Sequence, residues 1–465
     1  MRLFGRKPKS EPQIPIPETL IGEGTLLGDT QFIPVSIPDS NRQGHIFTMG
    51  TTRSGKTRLA EWIIEQDIKK GYSILWIDPK GDIQILSKIV EVARSEGRES
   101  ELMFLSPIFP DSSISLDPLS HYFMPEEIVS HVVSGIRAKE EFFVNIAYEV
   151  TLIVVQSLIL FAEKEGKSPH FNFQSIKERV SFPDLLRLKA QLEALGTEEA
   201  KEILSSLYQI LSSPQDYFAK VSSSLRTVLT ALSVGSVGKV IGKANANPFI
   251  ERLERGKRVI LIVQTGSLLT RRTAHIIARV LLSMVQSFVG RTLAGGRIIN
   301  PPLCVHIDEA SNVLYLGIED LFNKAGGAGV WLHLMTQSFQ DLVAELGEPH
   351  AKKILDNTNT KIVFRVNDPE TARYVSNLAG TRRRFSPILS LGGGVSVREM
   401  EEERVFPDEV LGLKPREFFA FTMNGIYRGK TLDVPQPRLK IRFPEIKGGG
   451  DDKDYDGGID TYSAS

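Results

Sequence analysis

The stretch His45–Ile64, HIFTMGTTRSGKTRLAEWII, decides the fold. Its apolar opening, HIFTM, reads as a strand. Thr57–Lys70 then carries Leu59, Ile63, Ile64 and Ile68 at helical spacing and stops at Gly71. Between strand and helix, GTTRSGKT fits G-x-x-x-x-G-K-[ST], running from Gly50 through Thr51, Thr52, Arg53 and Ser54 to Gly55, Lys56 and Thr57. A glycine-rich loop in that setting turns backbone amides toward phosphate oxygens. It also brings a lysine to the β and γ phosphates and offers a hydroxyl to magnesium. The expected ligands are ATP and Mg2+, with Thr57 as one ligand of the ion.

The neighbouring sequence repeats the strand–helix rhythm. SILWID, Ser73–Asp78, reads as a buried strand ending in an acid, and Ile83–Arg94 as the next helix. Later come RVILIVQ from Arg258, a long helix from about Arg271, LCVHIDEA from Leu303, VWLHLMTQ from Val330 and KIVFRVND from Lys361. Such alternation predicts an α/β fold around a mostly parallel sheet. Pro125 to about Gly235 shows only helical patterns, among them FPDLLRLKAQLEALG and AKEILSSLYQIL, and reads as an inserted all-α domain. The expected division is a leader and start of the motor at 1–40, motor sequence at 41–124 and 236–445, the helical domain at 125–235, and a flexible acidic tail at 446–465.

Composition narrows the class. The 465 residues suffice for two or three packed domains, and 41% hydrophobic with 24% charged residues is ordinary for a globular chain. Fifty-six basic residues balance 56 acidic ones, so any nucleic-acid contact must come from local basic surface. Cys304 is the only cysteine, which excludes an intrachain disulfide and a cysteine-rich zinc site. The basic N-terminus has no apolar run behind it, and VTLIVVQSLILFA, Val150–Ala162, is too short to span a bilayer. These features predict a cytoplasmic chain without a transmembrane segment, reaching the inner face of the plasma membrane only through partners.

Two further strand ends carry chemistry. LCVHIDEA delivers Asp308 and Glu309 at the carboxyl edge of a parallel strand, where one acid holds magnesium and the next polarises water for attack on the γ-phosphate. LHLMTQSFQ places Gln337 after another strand, either to sense the γ-phosphate and orient water or as an N-terminal helix residue with no such role.

Taken in order, HIFTMGTTRSGKT, ILWIDPKGD (Ile74–Asp82), HIDEASNV (His306–Val313), MTQSFQDL (Met335–Leu342) and TKIVFRVNDPETARYVSNLAG (Thr360–Gly380) resemble the type IV coupling proteins of conjugation. That TraD/TraG group belongs to the wider class of FtsK/HerA-like P-loop translocases. The resemblance implies a RecA-like P-loop NTPase with a helical domain inserted ahead of the acidic strand. It also implies a homo-hexameric ATPase that moves DNA and links a relaxase, or another secretion substrate, to the type IV secretion channel. Lys56, Thr57, Asp308, Glu309 and Gln337 match the family's nucleotide-site positions.

Two departures stand out: the membrane helices usual in the family are not read here, and the segment before the sensor strand, NKAGGAGVW, offers Lys324 where an arginine is common. Arg365 is the candidate replacement cation for a neighbouring subunit's site, or else a strand-end arginine in a structural ion pair. In GTRRRFSPILSLGGGVSVRE, Arg382, Arg383 and Arg384 either track a DNA backbone or belong to an exposed hairpin with solvated charge. A soluble repair or processing motor of the same class remains open as an alternative. So does an ATP-binding recruitment adaptor, although pure binding has no use for a water-activating acid.

Overall fold

A computed structural model of the chain describes residues 17–137, 141–212, 215–389, 395–443 and 460–463. The first 16 residues of the expected leader, most of the expected acidic tail and Gly392–Gly394 lie outside the described residues.

The strands are β1 Glu18–Leu26, β2 Phe32–Pro38, β3 Ile46–Met49, β4 Ser73–Asp78, β5 Leu102–Leu105, β6 Ile260–Gln264, β7 Leu303–Ile307, β8 Val330–Thr336, β9 Thr360–Val363, β10 Thr381–Leu389, β11 Val395–Glu403, β12 Glu417–Thr422, β13 Gly425–Lys430, β14 Leu439–Arg442 and β15 Asp460–Ser463. One 11-stranded sheet has the order β2-β1-β13-β12-β9-β3-β8-β7-β4-β6-β5. From β9 to β5 every pairing is parallel. Strands β3, β4, β6, β7, β8 and β9 are buried along their whole length, which is why they read as continuous apolar runs. From β12 to β2 the pairing is antiparallel. The outer strand β2 carries Pro34 and Pro38, which lack an amide to offer to another edge.

Helices α1 (Lys56–Lys69) and α2 (Ile83–Ser95) follow β3 and β4. Helix α1 buries Leu59, Ala60, Ile63, Ile64 and Ile68 against the sheet. It ends where Gly71 adopts φ +80° and Tyr72 N–H reaches back to the Asp67 carbonyl at 2.9 Å. Between β5 and β6 the regular elements are helical: α3 Pro125–Ser134, α4 Glu141–Lys164, α5 Phe173–Lys177, α6 Phe182–Leu195, α7 Glu198–Leu211, α8 Gln215–Ser233, α9 Gly235–Val237 and α10 Pro248–Glu254. Ser181 and Thr197 cap α6 and α7, and Leu192, Leu207, Ile153 and Leu229 join a core continuous with the sheet through α11, Arg271–Ala294.

The structure revises two expectations. Helix α4 is longer than its central apolar run, because Phe142, Phe143, Val144, Ile146 and Ala147 extend the apolar sequence toward its N-terminus. By length and composition α4 and α11 could each cross a membrane, with 44% and 78% of their most apolar stretches buried within the protein. Residues 460–463 of the expected tail pair antiparallel with β14, as suits Thr461 and Tyr462, and β14 itself lies along α2, with Leu439 N–H donating to Glu91 at 2.7 Å.

A buried polar network sits between α1 and the sheet. Arg42 donates to both Asp67 carboxylate oxygens and, at 3.0 Å, to Thr19 Oγ1, while its guanidinium lies 5.2 Å from the Trp331 ring centroid. His306 Nε2 is 3.1 Å from Asp67, His306 Nδ1 is 3.1 Å from His333 Nδ1, and His333 Nε2 is 3.0 Å from Thr48 Oγ1. The chain of contacts thus ties α1 to β7, β8 and β3, the strands that lead into the site. Burial alone would raise the Asp67 carboxyl, but Arg42 and His306 hold it well below the usual carboxylate range. Asp67, Cys304 and His306 lie close enough to share a cation, and two of them meet a positive charge in Arg42, which donates to Asp67 and, at 3.6 Å, to Cys304 Sγ.

Candidate nucleotide site

The parallel strands deliver their loops to one edge of the sheet. Strand β8 lies between β3, which leads into the phosphate loop, and β7, which leads into Asp308 and Glu309. Strand β4 flanks β7 on the other side. The resulting cleft of about 560 Å³ is lined by Thr52, Arg53, Gly55, Lys56 and Thr57 from the loop, together with Asp308, Glu309 and Gln337. Residues distant in sequence therefore converge where ligands collect in parallel sheets.

The loop's glycines are required by close approach. A Cβ on Gly50 would stand 2.7 Å from Phe364 Cβ and from Ser54 Oγ; Gly55 has φ +124° and packs against Phe364 and the Arg416 backbone. The loop is also held from outside: Thr51 N–H donates to the Arg365 carbonyl at 2.8 Å, and Arg416 N–H to the Ser54 carbonyl at 2.7 Å. Lys56 Nζ donates to the carbonyls of Gly50 and Thr51. Burial pushes the Lys56 ammonium down to about 8 against the opposing pull of Asp308 and Glu309.

The acids are held with equal definition. Asp308 N–H donates to the Ile77 carbonyl at 3.0 Å, and Glu309 N–H to Asp308 Oδ1 at 2.9 Å. Glu309 has φ +46°, a left-handed conformation uncommon for glutamate and one that costs of order 1 kcal/mol or more. Gln337 is exposed just ahead of the capping box in which Ser338 and Asp341 start the helix Phe339–Leu346.

Other expected residues fall elsewhere. Arg365 is exposed and does not line the cleft of its own chain, which it meets only through its backbone. Arg382, Arg383 and Arg384 stand on β10 in an antiparallel hairpin with β11, not in an unpaired basic loop. Arg382 and Arg384 pair with Glu402, and Arg383 with Glu399, so the charge that suggested a DNA track is met across the hairpin. Replacing all three by Ala should leave the salt dependence of DNA binding essentially unchanged. A drop of about 2.7 in the slope of log K against log salt, the effect of three phosphate contacts, would restore the hairpin as a DNA contact.

The cleft also holds residues the sequence did not single out: Lys80, Arg271, Asn312, Asp341 and Arg416. Lys80 lay in plain view within ILWIDPKGD. Arg416 is more than 350 residues from the loop it buttresses, and no local pattern marks it.

This geometry defines the class: a RecA-like P-loop NTPase with a mostly parallel central sheet and an all-helical segment inserted between β5 and β6. Residues 302–401 match the family described as the TraM recognition site of TraD and TraG. No curated protein sequence matches the chain. Among solved structures, the bacterial conjugative coupling protein TrwBdeltaN70 in its unbound monoclinic form superposes with a TM-score of 0.64 at 18% identity, covering 89% of each chain. TrwB in complex with the non-hydrolysable ATP analogue ADPNP gives a TM-score of 0.63 at 18% identity over 89% of this chain and 90% of that one. VirB4 of Thermoanaerobacter pseudethanolicus gives 0.54 at 12% identity over 90% and 96%. The likeness to the conjugative coupling proteins read from the ordered motifs is thus matched by fold over most of the chain and by sequence over residues 302–401.

Proposed function

We propose that the chain is an ATP-hydrolysing DNA translocase of the conjugative coupling type, which links a DNA–relaxase substrate to a type IV secretion channel. The observation that carries this reading is the meeting of Lys56 and Thr57 with Asp308 and Glu309 in one cleft. The coupling-protein fold supplies the context, as do the complexes of TrwB with ADPNP and with ADP and Mg2+.

In this reading Gly50–Thr57 cradle the triphosphate, and Thr57 and Asp308 hold Mg2+, which neutralises phosphate charge. Glu309 polarises the attacking water, and Gln337 reports on the terminal phosphate. The donor set fits the ion, since a hydroxyl and a carboxylate leave room for water and phosphate oxygens. Arg365, exposed and outside its own cleft, suits the site of a neighbouring copy in a homo-hexamer. The helical segment between β5 and β6 is the proposed receiving surface for relaxase or other secretion substrates. We place the protein at the cytoplasmic face of the membrane, held there by channel partners.

DNA coupling is tested by measuring Mg2+-dependent ATP hydrolysis with and without DNA. The expected result is stimulation accompanied by assembly to six copies. Hydrolysis that ignores DNA at every length and salt concentration would remove translocation and leave a nucleotide-driven adaptor.

A further inference from the structure

In the motif DPKGD, Asp78–Asp82, three residues build a turn: Asp78, Gly81 and Asp82. The Asp78 carboxylate accepts the backbone amides of Lys80, Gly81 and Asp82, folding the chain back on itself. Gly81 takes φ +86°, which a side chain would strain, and the Asp82 side chain caps α2 by accepting from Gln84 N–H at 2.8 Å. Lys80 makes none of these turn contacts with its side chain. That side chain extends across the cleft, where its ammonium stands 2.9 Å from Glu309 Oε1 and 3.7 Å from Asp308 Oδ2.

The sheet fixes this meeting. Strands β4 and β7 are parallel neighbours with Ile77 opposite Ile307, so the loop carrying Lys80 lies beside the loop carrying the acids. Lys80 lines the same cleft as Lys56, and the two ammonium groups feel each other's charge. Electrostatics makes a second lysine useful here. A triphosphate brought against two carboxylates is repelled unless cations intervene. Mg2+ at Asp308 answers one carboxylate, and Glu309 requires another positive group that can turn from carboxylate to phosphate. A half-exposed lysine on a flexible four-carbon stem can make that exchange.

We propose that Lys80 is the cation by which the site distinguishes a nucleoside triphosphate from a diphosphate: it pairs with Glu309 and transfers its contact to the γ-phosphate, leaving Glu309 free to polarise water. This rests on the nucleotide-site reading given above, and deepens it by assigning the recognition of the third phosphate to a residue of the same chain.

The test compares the parent chain with Lys80→Met, which keeps length without charge, and Lys80→Arg. Equilibrium binding of ADP and of a non-hydrolysable ATP analogue is measured for each, with single-turnover hydrolysis alongside. Lys80→Met is expected to bind ADP as the parent does, to lose about tenfold or more in affinity for the analogue, and to hydrolyse about 10²-fold more slowly. Lys80→Arg should recover most of the analogue affinity. An unchanged ratio of analogue to ADP affinity in Lys80→Met would overturn the proposal, and so would an equal loss for both nucleotides, since a residue that merely shapes the loop weakens both. A parent chain that binds neither nucleotide would instead defeat the nucleotide-site reading itself, so the two failures are distinguishable.

Discussion

Glu309→Gln should bind Mg·ATP at least as tightly as the parent chain while hydrolysing it about 10²–10⁴-fold more slowly, the usual contribution of a positioned general base. The substitution keeps the side chain's shape but removes its charge, and with it both the ability to take a proton and the ion pair with Lys80. The left-handed backbone at Glu309 and its amide bond to Asp308 Oδ1 are set by the main chain, so the site should persist. Trapped ATP, recovered unhydrolysed from the purified variant, is the readout. Turnover at the parent rate would transfer the role of base to another cleft residue.

Arg42→Ala is expected to be the most destabilising single change outside the cleft, costing about 3–5 kcal/mol, because it leaves the Asp67 carboxylate buried without its main partner. Replacing the pair together, Arg42→Met with Asp67→Leu, should cost less than the two single changes summed, by at least ~1 kcal/mol of coupling. Denaturant midpoints of the three variants measure this directly, and strict additivity would mean that the network is not one unit.

Acid should loosen the buried histidine sites, those of this network among them. Burial pushes His306 and His333 down, His45 down to about 4 and His131 down to about 3. Their folded values lie below the unfolded one of about 6.5, so the unfolded chain binds more protons in acid. Their contribution is full above about pH 6.5 and is lost as pH falls toward the folded values, at up to about 1.4 kcal/mol per histidine per pH unit. Asp67, depressed by Arg42, acts lower still and keeps its contribution until pH falls below about 3.9.

The parallel half of the sheet, apart from its edge strand β5, was legible because burial on both faces leaves no room for polar residues. HIFTM, SILWID, RVILIVQ, LCVHIDEA, VWLHLMTQ and KIVFRVND each begin within two residues of a strand's start, though KIVFRVND runs on well past the end of β9. The antiparallel strands were not legible. β1 mixes glycine, threonine and glutamate, β13 is half polar, and neither is followed by a helix, so the strand–helix rhythm had no place for them. The arginine run could be read either as a DNA track or as an exposed hairpin; the hairpin itself, and the cross-strand pairing that sets Glu402 opposite Arg382, are invisible in one dimension. At the site, strand-end residues were readable from motif order. Arg416 and Arg271 reach the cleft through long-range packing, which leaves no periodic trace.

The central claim is that one cleft, built from the Gly50–Thr57 loop and the acids after β7, binds and hydrolyses ATP with magnesium. The most direct measurement is phosphate release from ATP by the parent chain and by Lys56→Ala, each with and without Mg2+, beside a nucleotide-binding titration. The account predicts Mg2+-dependent release by the parent and, in Lys56→Ala, loss of turnover with weakened or abolished binding. Release by Lys56→Ala at the parent rate, or a folded parent chain that neither binds nor cleaves ATP, would contradict it.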